Sequence, residues 1–503
     1  MDPFAVSIIF SSYYLNNPAS AFGHTLLRIH KRRELTTEKR QELLDYGIDF
    51  SADVDTSNPV LYAIKGLSGM FPATFKRLPF YYKVRKYNDY EFRDLWTYEL
   101  NFPQPALIML VAHLWELGGT YFDYYYMTEN CSYHILGLLE AAYPELELLK
   151  HVNVPVLPAD TIKALFYNPS LVKQVSHRPS ARNQLAARLS ALDASQSDWV
   201  GKLLEDPDRP LPSHWTDETK ILVLDAAADL VDVRYMKALI FKRNSSAALL
   251  KQKLLARRSS IPKPSQDLET KAPVLKRPEF GHDSKRFDVS GGYHSKGKFF
   301  GQLDFRLALH DLADPAPGYP DLAQIEFLKT KLRYWQEGHK LKLQHASFVR
   351  IISLHSIEQY DFQLSWNVDA GATTVYRQGW QACLAANAEV GAGPAKAFFS
   401  DAVVLFLTMD TQILAGPNLM GLGDLHGVRI GAGPSAGYRL RFTQNLLWTA
   451  LGKFRWFPTQ QTPLAFSLVS NLRYAPFRQF ALDLQGSVQN YGIEAKLGTL
   501  FYF

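Results

Sequence analysis

Tyr491-Gly492-Ile493-Glu494-Ala495-Lys496-Leu497-Gly498-Thr499-Leu500-Phe501-Tyr502-Phe503 is the stretch whose reading decides the fold. Tyr491, Ile493, Ala495, Leu497, Thr499, Phe501 and Phe503 share one face of an extended chain, and Gly492, Glu494, Lys496 and Gly498 share the other. In a membrane-spanning strand, such alternation sets the apolar positions against lipid and the charged ones in a polar lumen. Working backwards, Phe287-Asp288-Val289-Ser290-Gly291-Gly292-Tyr293 opens a series of similar segments. It continues at 324–335, 341–351, 362–376, 397–408, 446–457, 464–474 and 480–489, divided by Gly, Pro, Asp or Asn. Each is roughly ten residues long, the length a tilted strand needs to cross a bilayer. Residues 287–503 are therefore expected to form an antiparallel transmembrane β-barrel of about 12 strands. A large soluble antiparallel sheet or a lipocalin-like barrel has the same period. The number of segments and the aromatic residues at their ends favour the membrane. Ending on Phe503 after such alternation resembles the C-terminal assembly signal of bacterial outer-membrane barrels, which implies the barrel assembly machinery as a partner.

Upstream the texture differs. Residues 1–165 read as mixed α/β, with short strands at 6–10, 25–29 and 46–50 and helical apolar spacing over 104–117 and 131–143. The aromatic run Tyr121-Phe122-Asp123-Tyr124-Tyr125-Tyr126 suits either a cleft wall or core packing. Residues 166–258 read as a helical, charged connector, with helices expected at 181–192, 217–230 and 235–257. Residues 259–286 hold four prolines and no periodicity, as a linker does. The fold class expected is α+β.

At 503 residues the chain exceeds one ordinary core. Its 55 Lys+Arg against 49 Asp+Glu give a mild charge of +6, with no basic stripe interleaved with aromatics, so nucleic acid is not expected as a partner. No window approaches the length of a transmembrane helix. Met1-Asp2-Pro3-Phe4 lacks a basic n-region and residues 6–10 are too short for an h-region. A truncated or misplaced start is the expectation. The Gly-rich stretches at 391–394 and 431–434 lack the Lys-Ser/Thr of a phosphate loop. His113 and Glu116 lack a second helical histidine, so neither metal nor cofactor is expected.

The chemistry centres on Asn130-Cys131-Ser132-Tyr133-His134, which opens an apolar helix. Cys131 and Cys383 are the only cysteines and fall in regions of different character, so a disulfide is not expected. At a helix N-terminus, backbone N–H groups and the helix dipole favour a thiolate, the form a cysteine nucleophile needs. The competing reading of Cys131 is a small buried hydrophobe. A nucleophile requires a base. His134 projects from the same rigid surface as Cys131, so His24, on a strand after a Pro/Gly-containing loop, is easier to aim. Asp49 on the next strand could fix the imidazole tautomer, although a surface or turn carboxylate is the simpler role. The Cys131 N–H, with Ser20 or Asn17, could serve an oxyanion. Arg93-Asp94-Leu95-Trp96 and Tyr98-Glu99-Leu100 read as structural, with an ion pair ordering the cleft wall.

Tyr13-Tyr14-Leu15-Asn16-Asn17-Pro18-Ala19-Ser20-Ala21-Phe22-Gly23-His24-Thr25-Leu26-Leu27-Arg28 resembles the signature of a bacterial envelope family, that of the periplasmic domain of the lipoprotein N-acylation transacylase. The resemblance continues through Lys65-Gly66-Leu67-Ser68-Gly69, Tyr87-Asn88-Asp89, His113-Leu114-Trp115-Glu116-Leu117, Asp123-Tyr124-Tyr125, Glu129-Asn130-Cys131 and Pro158-Ala159-Asp160-Thr161. It implies a permuted papain-like, NlpC-like domain with His24 and Cys131 as a dyad, and thiol-based acyl or amide chemistry. The characterised transacylase has membrane helices, whereas this chain has the barrel pattern, so the substrate does not carry over. The leading expectation is an outer-membrane protein whose periplasmic domain acts on ester or amide bonds of lipids, lipoproteins or peptidoglycan. The alternatives are a non-catalytic barrel with a periplasmic adaptor, and a soluble cytoplasmic enzyme.

Overall fold

The computed structural model describes residues 2–14, 21–31, 42–242, 244–265, 273–377, 381–417, 419, 427–458 and 464–503. The chain divides into two compact units, Met1–Val274 and Leu275–Phe503.

The first unit is built on an antiparallel sheet of β1 (Pro3–Ser11), β2 (His24–Lys31), β3 (Tyr46–Ala52), β4 (Pro72–Pro79), β5 (Leu95–Leu100), β6 (Phe122–Asp123) and β7 (Val172–Arg178), in the order β6-β4-β3-β2-β1-β5-β7. Central strands β1 and β2 are buried over most of their length because both faces are covered. Alternate residues Val6, Ile8, Phe10, Leu27 and Ile29 pack in the main core with helices α1 (Gln104–Leu117) and α2 (Cys131–Ala142). Ile9 and Leu26 point to the opposite face, where Phe80, Val84 and Tyr87 cover them. Those three residues lie on a helical turn, Phe80–Lys83, that runs on into the wider turn Val84–Tyr90. The strand expectations at 6–10, 25–29 and 46–50 and both helix expectations match these elements.

Beyond residue 165 the helical expectation is corrected in two places. Val172–Arg178 is a strand, pairing with β5 from Leu95↔Arg178 to Leu100↔Val172. The stretch 235–257 is not one helix. After α3 (Ala181–Ser190) and α4 (Ala194–Glu205), helix α5 (Asp217–Phe241) ends, and α6 (Ser246–Ser259) starts afresh where the Ser245 side chain accepts from Ala248 N–H.

The second unit is a closed antiparallel barrel. Its strands are β8 (Arg286–His294), β9 (Lys298–His310), β10 (Ala323–Trp335), β11 (Lys340–Ser353), β12 (Ser365–Arg377), β13 (Gln381–Gly393), β14 (Ala395–Phe398), β15 (Val403–Ala415), β16 (Val428–Arg441), β17 (Leu446–Trp456), β18 (Leu464–Phe477), β19 (Phe480–Gln489) and β20 (Gly492–Tyr502). Twelve form the wall and the short β14 lies beside it; the ring closes through β13–β15 and β20–β8. On β20, Ile493, Leu497 and Phe501 are exposed and Glu494, Lys496 and Tyr502 buried, the alternation read from the sequence. The expectation of one strand over 397–408 is corrected. Phe399, Ser400 and Asp401 take positive φ values and turn the chain between β14 and β15. Strands β9, β13 and β16 were not anticipated; the glycines at 391–394 and 431–434 lie within or beside β13 and β16 rather than forming separate loops.

Candidate active site

Asn130 caps α2, accepting from Ser132 N–H at 3.0 Å and Tyr133 N–H at 3.4 Å. Its amide donates to the carbonyls of Tyr126 (3.1 Å) and Val156 (2.7 Å), so the cap is fixed on both sides. Cys131 is thus the first helical residue, where a sulfur lies next to uncompensated N–H groups. It is a free, buried thiol packed with Phe50, Ala73 and Tyr124. Ser132, fully buried, donates to Thr25 Oγ1 at 3.0 Å and ties the helix start to β2.

His24 begins β2. Gly23 before it has φ +93°, and a Cβ there would lie 2.6 Å from the Phe10 ring, so only glycine suits this approach. The register Leu27↔Ile48 sets Asp49 across from Leu26, on the face His24 shares. His24 Nε2 and Asp49 Oδ1 are 2.6 Å apart. The second carboxylate oxygen accepts from Lys83 Nζ at 2.5 Å, with Lys83 itself buried. Tyr87 packs its ring on His24, centroids 5.3 Å apart.

The electrostatics link these groups. Burial of itself lowers the His24 pKa, but the Cys131 and Asp49 charges and hydrogen bonds to both raise it to about 9. Burial of itself raises the Cys131 pKa, but the His24 charge and hydrogen bond, with the Thr25 backbone N–H, hold it below its ordinary value. Asp49 is likewise held low by His24 and then Lys83, against the effect of its burial. An imidazolium on His24 and a thiolate on Cys131 each stabilise the other. The Cys131 backbone also bonds the phenol of Tyr124, which burial and then the Cys131 charge keep protonated.

The structure therefore brings together Cys131, His24 and Asp49. Ser20 and Asn17 lie outside the described residues. Lys83 and Tyr124 were not singled out from the sequence, although Tyr124 stands in the aromatic run offered as a cleft wall. His134 stacks on Phe50 at 4.2 Å, and burial lowers its pKa to about 4, so it is a neutral ring in an aromatic cluster. Arg93 pairs with Glu91 at 2.8 Å and holds the Ser11 and Ser12 carbonyls at the end of β1, while Glu99 pairs with Lys173 at 2.7 Å. Asp94 lies 3.2 Å from His177. His113 and Glu116 meet each other at 3.4 Å on the surface.

A closed ring with an apolar exterior and a charged interior defines an outer-membrane barrel protein, here preceded by a periplasmic α+β domain. Residues 1–168 match the model of the Lnb N-terminal periplasmic domain. Models of two domains of unknown function match residues 175–269 and 275–502. No curated protein matches the chain. Among solved structures, it is similar to an outer membrane channel from Pseudomonas putida F1 (10% identity, covering 47% of this chain and 100% of that one, TM-score 0.28). It is also similar to the NanC porin (10%, 43% and 100%, TM-score 0.27) and to the outer membrane channel DcaP of Acinetobacter baumannii (12%, 44% and 96%, TM-score 0.23).

Proposed function

We propose that the periplasmic domain is a cysteine-dependent acyltransferase or hydrolase, held at the outer membrane by the barrel. The observation that carries this reading is the buried series Lys83–Asp49–His24–Cys131, with His24 set between a carboxylate and a thiol at a helix N-terminus. The thiolate attacks the carbonyl carbon of an ester or amide, and the oxyanion accepts from the Tyr124 hydroxyl, which the Cys131 backbone N–H holds in place. As the C–O or C–N bond breaks, the His24 imidazolium gives its proton to the departing oxygen or nitrogen, leaving a thioester on Cys131. An amine or water then attacks the thioester, His24 takes up the proton, and the thiolate departs. Asp49 keeps the imidazole in one orientation throughout. The order of histidine before cysteine, with the cysteine at a helix start packed on an antiparallel sheet, supports a permuted papain-like arrangement. Lipids, lipoproteins and peptidoglycan are the substrate classes within reach of a domain tethered at this membrane.

The test is to incubate the full chain in detergent with phospholipid, a diacylated lipopeptide or muropeptides, and to measure the mass of the Cys131 peptide. An added acyl mass, removed by hydroxylamine and absent in His24→Ala, is expected with one of the three. An unmodified Cys131 with all three, in a protein whose thiol also resists alkylation, overturns the reading.

A further inference from the structure

The connection between β9 and β10 is twelve residues, 311–322, and nearly all of it is buried. It does not lie on the outside of the barrel. Asp314, fully buried, accepts from Arg306 on β9 (2.6 Å), Arg286 on β8 (2.9 Å), Arg473 on β18 (2.5 Å) and the Tyr502 hydroxyl on β20 (2.7 Å). Asp311 pairs with Arg473 at 2.8 Å and with Arg286. On the far side, Arg439 of β16 donates to the Leu312 carbonyl at 3.0 Å and to Asp321 at 3.2 Å, and Arg441 reaches Asp321 at 2.9 Å.

The order of strands turns these bonds into a direction. Around the twelve-strand ring, β9 and β16 are six steps apart in either sense, so they are diametrically opposite. A segment bonded to both crosses the lumen. Leu312 adds an apolar layer with Ile352 of β11, Leu354, Ala395, and Val404 and Phe406 of β15. The residues before the barrel complete the layer: Gly318 N–H bonds the Leu275 carbonyl at 2.8 Å and the Tyr319 hydroxyl bonds that of His282 at 2.8 Å. All this occurs at the end where β8 starts and β20 finishes, Arg286 facing Tyr502, which is the end the chain enters from the periplasmic domain. Further along the lumen is a polar cavity of about 410 Å³, lined in part by Asp304, Lys331, Gln344 and Lys496.

We propose that residues 311–321 are a strap that seals the periplasmic end of the barrel, so that the barrel anchors the chain without offering solutes an open path. Buried aspartates without partners would be costly, but each here faces two or more arginines, and removing one side of such a cluster leaves the other unpaired. The seal is therefore held in place by charge and by the apolar layer together, and it does not depend on the thiol chemistry.

The test is single-channel recording of the full chain in planar bilayers with concentrated KCl. Two variants are compared with the wild type: residues 312–320 replaced by a short Gly-Ser link, and Asp314→Asn/Asp321→Asn. Folding is checked by heat-modifiable gel migration. A silent wild type and at least one folded variant giving discrete conductance steps are expected. Steps of equal size in the wild type, or silence in both folded variants, overturn the proposal.

Discussion

His24→Ala should strip the Cys131 thiol of its reactivity at mildly acidic pH, and the size of the loss can be worked from the charges. The imidazolium is stabilised from an ordinary 6.5 to about 9, worth about 3 kcal/mol shared between the Cys131 and Asp49 charges. The Cys131 share is some part of that about 3 kcal/mol and acts equally in reverse, so without His24 the thiol loses that stabilisation of its anion, while burial still opposes ionisation. That corresponds to a thiolate population smaller by up to about a hundred-fold at about pH 6. The sign follows from the two shifts. Because the folded His24 value is raised, its contribution is complete below about 6.5 and is lost as the pH climbs through about 9. The lowered Cys131 value contributes above the free-thiol pKa and fades as the pH falls through the folded value. The paired state therefore occupies the window between the lowered Cys131 value and about 9. The assay is the rate of iodoacetamide labelling of Cys131 against pH, read by mass spectrometry of the Cys131 peptide. A wild-type profile with the midpoint of a free thiol, unchanged in His24→Ala, would refute the reasoning.

Further expectations follow from the same geometry. Asp49→Asn should keep the shape but remove one of the charges that raise the His24 pKa, which shifts the pH profile of Cys131 labelling; a wild-type profile would refute the role of Asp49. Lys83→Met should lower the thermal unfolding temperature of the first unit, because a buried carboxylate loses its cationic partner, while Lys83→Arg should largely retain it; equal stability of both variants and the wild type would remove Lys83 from the site. Asn130→Ala should cost about 1–2 kcal/mol in thermal unfolding of the first unit, because it removes a helix cap and two donated hydrogen bonds. Leu497→Arg, on the outward face of β20, should cost roughly 2–4 kcal/mol near the bilayer midplane and reduce the heat-modifiable form; an unaffected barrel would mean that this face does not meet lipid.

The parts legible in the sequence are those where one face of an element is chemically unlike the other. The strand at 480–489 and the helix at 104–117 emerge with the same limits in the structure because large side chains mark their buried or lipid faces. Strand β13 escaped because its outward residues include Ala386 and Ala388 and its inward ones Ala385, so alternation carries little contrast. Strand β16 is obscured by its glycines, which suit a barrel turn as well as a small-residue strand position. In the site, Cys131, His24 and Asp49 could be picked out by residue type and position on their elements. Lys83 could not: it meets Asp49 across 34 residues of sequence, by way of a helical turn laid over the sheet. Tyr124 stood among four tyrosines with nothing local to distinguish it.

Strand β7 has a practical bearing on handling this enzyme candidate. A fragment cut at residue 168, where the match to the periplasmic-domain model stops, would strip β5 of its outer neighbour and leave the backbone groups of 95–100 bare on that side. It would also discard His177, the partner of Asp94, and the Pro179 carbonyl that accepts from Asn88. Such an edge invites sticking between copies, so a workable excision should run past Asn183, whose side chain also holds Asp94.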